Sequence, residues 1–192
     1  TMGNSGGGML LYHALEEKYE SYQGGFIWDY IDQAIQREDG SFAYGGDYDD
    51  RPTDYNFCGN GILYADRTLS PKVAEVKYLY QNVRLEVSEE GITLYNQNLF
   101  TSLEEESMRI LVLKDGIEIS QEEIRNVVTE PGEKRFFPYE LKAEESGEYT
   151  VRASLILNSD QKWAQKGHET AFGEMVIEKE NAADMVAGQT EL

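Results

Sequence analysis

The chain has little cysteine, little positive charge and no long apolar run, and each shortage removes a class of protein. One cysteine in 192 residues, Cys58, excludes an intrachain disulfide, so neither an oxidising nor a reducing compartment is implied. No stretch approaches the roughly 20 consecutive apolar residues that a membrane-spanning helix needs. The first residues lack the basic-plus-apolar pattern of a secretory leader, an absence that excludes nothing where a chain begins inside a longer one. Seventeen lysines and arginines stand against 36 aspartates and glutamates, a formal net charge of −19. Such a surface repels phosphate backbones, so nucleic acid and anionic membrane are poor partners. The acids lie scattered in pairs and triplets, among them Glu16-Glu17, Asp49-Asp50, Glu104-Glu105-Glu106 and Glu144-Glu145, as solvated faces do and metal cages do not. Internal repeats and low-complexity tracts are missing too.

What is present is 40% hydrophobic residues, enough for a core, and a length that allows one large domain or two small ones. Asn4 or Ser5 can cap a helix whose body runs from about Met9 to Tyr19. Leu11, Leu15, Tyr12 and Tyr19 would mark its apolar face, with Glu16, Glu17 and Glu20 beside Lys18 on the exposed side. His13 has no second ligand candidate at helical spacing and reads as a surface or packed histidine.

Gln23-Gly24-Gly25-Phe26-Ile27-Trp28-Asp29-Tyr30-Ile31-Asp32-Gln33 is the most informative stretch. The glycine pair stops the helix, and Phe26, Ile27 and Trp28 predict a short strand buried on both faces, since the run has no polar alternation. Asp29, Tyr30 and Asp32 would emerge at its carboxyl end, where ligands sit in α/β architectures. A tryptophan beside acids at such a rim suits a sugar, the ring against its apolar face and the carboxylates on its hydroxyls. A plain core role for Trp28 is the competing reading.

Residues 34–63 are rich in Gly, Asp, Tyr and Asn without periodicity, a loop long enough to be functional. Asp47, Asp49 and Asp50 suggest a cation, but the spacing of a calcium loop with its distal glutamate does not follow. In Phe57-Cys58-Gly59-Asn60-Gly61, glycines on both sides of Asn60 allow a tight turn that presents neutral oxygens, which suit a weakly bound hard cation; turn residues alone are the alternative. Ser70-Pro71 opens a second helix with Val73, Val76 and Tyr80 on one face.

From about Asn82 the period becomes two. Val83-Leu85-Val87 and Ile92-Leu94-Tyr95 flank Glu89-Glu90-Gly91, and Met108-Ile110-Val112 and Ile117-Ile119 flank Asp115-Gly116, a strong hairpin cue. Phe136-Phe137, Tyr149-Val151-Ala153-Leu155 and Phe172-Met175-Ile177 supply more strands. About seven short strands predict an antiparallel sandwich of immunoglobulin type. Trp163 is expected in its core and His168 in a structural role.

Met2-Gly3-Asn4-Ser5, the Gln23–Asp29 run, Tyr44-Gly45-Gly46-Asp47-Tyr48, Asn56-Phe57-Cys58-Gly59-Asn60-Gly61 and Ala65-Asp66-Arg67-Thr68 occur in one order. This series resembles the last part of the catalytic barrel of the β-galactosidases of glycoside hydrolase family 2, over residues 1 to about 83. A weaker resemblance runs to about residue 180, through Trp163-Ala164, Gly167-His168 and Ala171, and matches the β-sandwich domain that follows the barrel.

The resemblance implies an α+β chain. Residues 1–82 would be the end of a (β/α)8 barrel (helix, strand, long loop, helix), 83–180 an immunoglobulin-like sandwich, and 181–192 a linker. It implies that Trp28 and Asn60 contact galactose, and that the Phe57 backbone carbonyl and the Asn60 side chain hold a sodium ion at the sugar's 6-hydroxyl. The implied activity is hydrolysis of terminal β-galactosides with retention. That route needs two carboxyl groups about 5–5.5 Å apart. By the family's pattern, the nucleophilic glutamate, the acid/base glutamate and the magnesium ligands all precede Thr1. The chain alone is therefore expected to be inactive, and its barrel segment ordered only against the rest of the barrel, its own sandwich or another copy of the chain. A non-catalytic carbohydrate-binding or assembly module is the second reading. Aglycone, oligomeric state and compartment stay open.

Overall fold

The computed structural model describes residues 5–55, 57–143 and 145–180. The expected capping Asn4, Asn56 and the linker 181–192 lie outside the described residues. The chain divides into two compact units, Thr1–Tyr80 and Gln81–Leu192.

In the first unit the predicted helix forms as α1 (Ser5–Lys18), and a second, α2 (Lys72–Leu79), follows Pro71 at its N-cap. A small antiparallel ribbon, β1 (Ile35–Gln36) with β2 (Phe42–Ala43), sits in the long loop. The expected strand at Phe26–Trp28 is not there: the run is irregular and Phe26 is fully exposed at 104%. A strand buried on both faces needs neighbours on both edges and cover above and below. Two helices and a two-residue ribbon do not supply them. For the same reason the expected apolar face of α1 is open. Leu11, Tyr12 and Tyr19 are exposed and Leu15 is half-buried, while Met9 is the buried residue of that helix. Glu20 lies beyond the helix end, and α2 buries none of its residues.

The second unit follows the period-two pattern closely. Its strands are β3 (Val83–Val87), β4 (Gly91–Asn96), β5 (Glu106–Lys114), β6 (Ile117–Ile124), β7 (Lys134–Pro138), β8 (Gly147–Leu157) and β9 (Glu169–Lys179). They form a three-stranded sheet ordered β3-β4-β7 and a four-stranded sheet ordered β6-β5-β8-β9, with every pairing antiparallel. Asp115 and Gly116 turn β5 into β6 with φ of 50° and 79°, two left-handed residues in succession, as the tightest hairpins require. Alternate residues from the two sheets meet in one core, including Leu85, Leu94, Ile110, Val112, Val151 and Leu155. β6 is the exception, exposed along nearly its whole length at the sheet's edge.

Two residues shape this unit without any apolar signal. Asn96 is fully buried; its amide donates to the carbonyls of Thr101 and Thr129, both at 2.9 Å, and its oxygen accepts from Asn98. It thereby closes two loops whose backbone groups would otherwise be buried unpaired. Gly173 pairs with Ala153, and a side chain on it would begin 1.9 Å from the Leu85 carbonyl oxygen. That is where β3 crosses β9.

Trp163 departs from its expected core position. It lies in the 158–168 loop, is 67% exposed, and meets the His168 ring edge-on at 5.6 Å. Outside the strands no alternation directs a side chain inward, so its apolar character alone does not bury it. Among the described residues no helix is long and apolar enough to cross a membrane.

Candidate functional site

The glycine-flanked turn at Asn60 and the aromatic run at Trp28 lie 32 residues apart, yet they are joined backbone to backbone. Asp29 N–H donates to the Asn60 carbonyl at 2.8 Å, Leu63 N–H to Tyr30 at 2.9 Å, Asp32 N–H to Leu63 at 3.0 Å and Gln33 N–H to Cys58 at 2.9 Å. Ile31 and Leu63 form a parallel bridge. Gly61 permits this approach, since a Cβ there would lie 2.3 Å from Asp32 N and 2.6 Å from the Leu63 oxygen. From the other side, Ser70 Oγ donates to the Ile62 carbonyl at 2.7 Å and Lys72 Nζ to the Gly61 carbonyl at 2.6 Å.

The join places Trp28, Phe57 and Asn60 on one cleft of about 560 Å³ within the first unit, shared with Tyr12, His13 and Phe26. That volume suits a small-molecule site, which typically measures about 300–1,000 Å³. Trp28 is 64% exposed and Phe57 54%, so their rings are open to a ligand, whereas Asn60 is 1% exposed at the floor. The peptide between Trp28 and Asp29 is cis. Among the described residues Glu16 is the one carboxylate lining this cleft, with His13 Nδ1 3.4 Å from its Oε2; the His13 ring also meets Tyr80 edge-on at 5.1 Å.

Asp29 and Asp32, expected to face a sugar, bind the protein itself. Asp29 accepts from Tyr30 N–H at 2.6 Å and from Gln33 Nε2 at 2.9 Å, and Asp32 accepts from Gly61 N–H at 2.7 Å. The loop aspartates also fasten turns. Asp50 accepts from Gly46 N–H at 2.8 Å, Asp39 from Ser41 and Asp66 from Thr68, and these bonds hold the three carboxyls below the usual aspartate range. Among the described residues no three His, Cys, Asp or Glu side chains gather as a metal cluster, so Asp47, Asp49 and Asp50 do not form one.

The two expected sodium ligands do lie together, with Asn60 Nδ2 donating to the Phe57 carbonyl at 3.0 Å. Both offer neutral oxygens of the kind a hard cation accepts. In this arrangement the amide nitrogen, not its oxygen, faces the carbonyl. A cation bound by both residues requires the amide to turn.

With this geometry in view, known families account for nearly the whole chain. Residues 1–85 match the TIM barrel domain of glycosyl hydrolases family 2, and residues 92–178 match domain 4 of β-galactosidase. The chain belongs to glycosyl hydrolase family 2. It is 49% identical to a β-galactosidase of Halalkalibacterium halodurans over 95% of this chain and 19% of that protein. It is 47% identical to one of Clostridium acetobutylicum over 94% of this chain and 21% of that protein, and 48% identical to one of Streptococcus thermophilus over 93% and 18%. The family 2 chain thus spans about one fifth of the length of the curated relatives it matches.

Sequence reasoning missed the scaffold of this family 2 cleft more than its lining. Tyr12 and His13 line it from a helix that periodicity read only as apolar or bland, and Lys72 reaches the Gly61 carbonyl from α2. The signal for the close approach was Gly61 itself, on the far side of Asn60 in the turn.

Proposed function

We propose that this chain is part of a retaining β-galactosidase and forms the sugar-holding side of its active site. Trp28 is the apolar platform for the galactose ring. Asn60, with the Phe57 carbonyl, holds a sodium ion at the sugar's 6-hydroxyl. The observation that carries the reading is that Trp28 from one motif and Phe57 and Asn60 from another, 32 residues on from Trp28 to Asn60, line a single cleft with two open aromatic rings above a buried amide. The β-galactosidases that share 47–49% identity over nearly the whole chain support the substrate class.

The chemistry assigns these residues binding work. Stacking on Trp28 and polar contact at Asn60 would fix the ring and exclude water from one face, as positioning catalysis demands. A retaining reaction forms a covalent galactosyl-enzyme with one carboxylate while a second acid protonates the leaving group, and water then reverses the sequence. Among the described residues the cleft lining contains one carboxylate, Glu16, and His13 Nδ1 lies 3.4 Å from it. We therefore place the catalytic pair on other polypeptide, and expect the 192 residues alone to be inactive. A sodium ion would supply charge for the sugar hydroxyl. Magnesium would belong to the whole enzyme, held by residues outside these 192.

The same proposal reads residues 1–82 as the end of the barrel, 83–180 as an immunoglobulin-like sandwich and 181–192 as a linker. The seven strands around one core support the second part; relative to the constant-type immunoglobulin order, the fourth strand pairs with the third instead of the fifth.

The test is Trp28→Ala in the full-length enzyme, assayed with a chromogenic β-galactoside. A fall of about tenfold or more in kcat/KM, corresponding to roughly 1.4 kcal/mol of lost stacking, is expected. Unchanged turnover would remove Trp28 from the site, and turnover by the isolated chain would refute the placement of the carboxylates.

A further inference from the structure

The second unit has a cleft of its own, of about 360 Å³, on the outer face of the four-stranded sheet. Its base is Ser107, paired with Ile156 in the β5–β8 ladder. Strand alternation turns Ser107 away from the core side chains Met108 and Ile110, yet it is 0% exposed. The loop from Asn158 to Gly167 covers it. That roof is fastened by its own bonds: Asn158 N–H to the Glu105 carbonyl at 2.8 Å, Gly167 N–H to Leu157 at 2.8 Å and Lys166 N–H to Asp160 Oδ1 at 2.8 Å. The Ser107 hydroxyl is buried and has no hydrogen-bond partner among the described residues, although it lines a cleft. A hydroxyl retained under such cover calls for a group to bond.

Arg125, Glu123 and Lys166 complete the lining. Arg125 Nε donates to Glu123 Oε1 at 3.2 Å, a contact that uses one guanidinium nitrogen and one carboxylate oxygen. The cleft therefore offers donors from Arg125 and Lys166, an acceptor from Glu123, and a group that does both in Ser107. An apolar ligand would strand all four. An oxyanion would face the Glu123 carboxylate inside a chain of net charge −19. A ligand bearing several hydroxyls, each able to donate and accept, meets the whole set.

We propose that this cleft is a saccharide-binding site, separate from the Trp28 cleft and independent of its assignment. The experiment is a titration of the isotope-labelled 192-residue chain with lactose, followed by amide chemical shifts. Saturable shifts centred on Ser107, Asn158 and Gly167 are expected. Ser107→Ala and Arg125→Ala should each weaken them about tenfold, the effect of one or two lost hydrogen bonds, while circular dichroism stays that of the parent. Ser107→Ala removes a single buried oxygen, so folding is retained and the comparison stands. No saturable shift at these amides up to the solubility of lactose overturns the proposal. So do lactose shifts confined to the Trp28 cleft, a Ser107→Ala chain that binds like the parent, or shifts at these amides with inorganic phosphate but not with lactose.

Discussion

The Asp32 carboxylate accepts a hydrogen bond from the Gly61 backbone N–H at 2.7 Å. Through it the aromatic run that ends at Asp32 is tied to the turn that carries Asn60, and the cleft depends on that tie. Gly61→Ala sets a methyl 2.3 Å from Asp32 N and 2.5 Å from the Ile31 carbonyl carbon, both backbone atoms that have no rotamer to change. The two segments must separate, at a cost of about 1–3 kcal/mol. We expect reduced near-ultraviolet circular dichroism from the first unit and, in the full-length enzyme, a rise in KM for galactosides. A Gly61→Ala protein with parental KM and dichroism would show that the tie is not needed.

Gly173 makes the corresponding prediction for the second unit. The Leu85 carbonyl oxygen lies 1.9 Å from where its Cβ would stand. Gly173→Ala must push β3 off β9 and open a core containing Leu85, Leu94 and Val151. The expected loss is about 1–3 kcal/mol, or some 4–8 °C in Tm for each kcal/mol in a domain of about 100 residues. Calorimetry of the chain decides, and an unchanged transition for this unit would contradict the packing described.

The contrast between the two units explains what could be read in advance. In 83–87, 91–96 and 147–157, each inward residue has its partner within the same unit, so alternation in sequence becomes burial in space. Phe26, Ile27 and Trp28 state only that they suit cover; the cover itself must come from elsewhere, and the described residues of the first unit do not provide it. Trp163 fails for a related reason, because an apolar residue in a loop has no periodicity to aim it. At the cleft, Trp28, Phe57 and Asn60 could be picked out as residue types. The use of Asp29 and Asp32 as backbone ties could not, because an aspartate that serves a ligand and one that serves a turn look alike in sequence.

Glu106 gives a prediction that depends on pH. Its carboxyl is largely buried, one oxygen accepts from Thr170 Oγ1 at 2.8 Å, and burial raises its pKa above the ordinary glutamate range. The folded state therefore holds this proton more tightly than the unfolded one. Its stabilising contribution is full below the unfolded pKa of about 4.3 and is lost as pH rises through the higher folded value. Relief of the −19 net charge on acidification acts in the same direction, so the parent must be compared with Glu106→Gln. The stability of the variant relative to the parent should be greatest at neutral pH and shrink as pH falls toward 4.3. Denaturant melts across that range check it; a difference that does not vary with pH would mean that Glu106 is not the group responsible.

Asn60 carries the prediction for sodium. Its amide nitrogen now donates to the Phe57 carbonyl at 3.0 Å. Turned to face that carbonyl with its oxygen, the side chain would oppose two partial negative charges, an arrangement that a cation between them makes favourable. In the full-length enzyme, turnover should rise when sodium replaces choline, and Asn60→Ala should flatten that response and lower kcat/KM about tenfold, equivalent to roughly 1.4 kcal/mol. Phe57→Ala provides the discriminating control, because the proposed ligand there is a backbone carbonyl that the substitution leaves in place. It should weaken galactoside binding through the lost ring yet keep the response to sodium. An Asn60→Ala enzyme that responds to sodium like the parent would remove the ion from this turn, and loss of the response in Phe57→Ala alone would assign it to the packing of the ring.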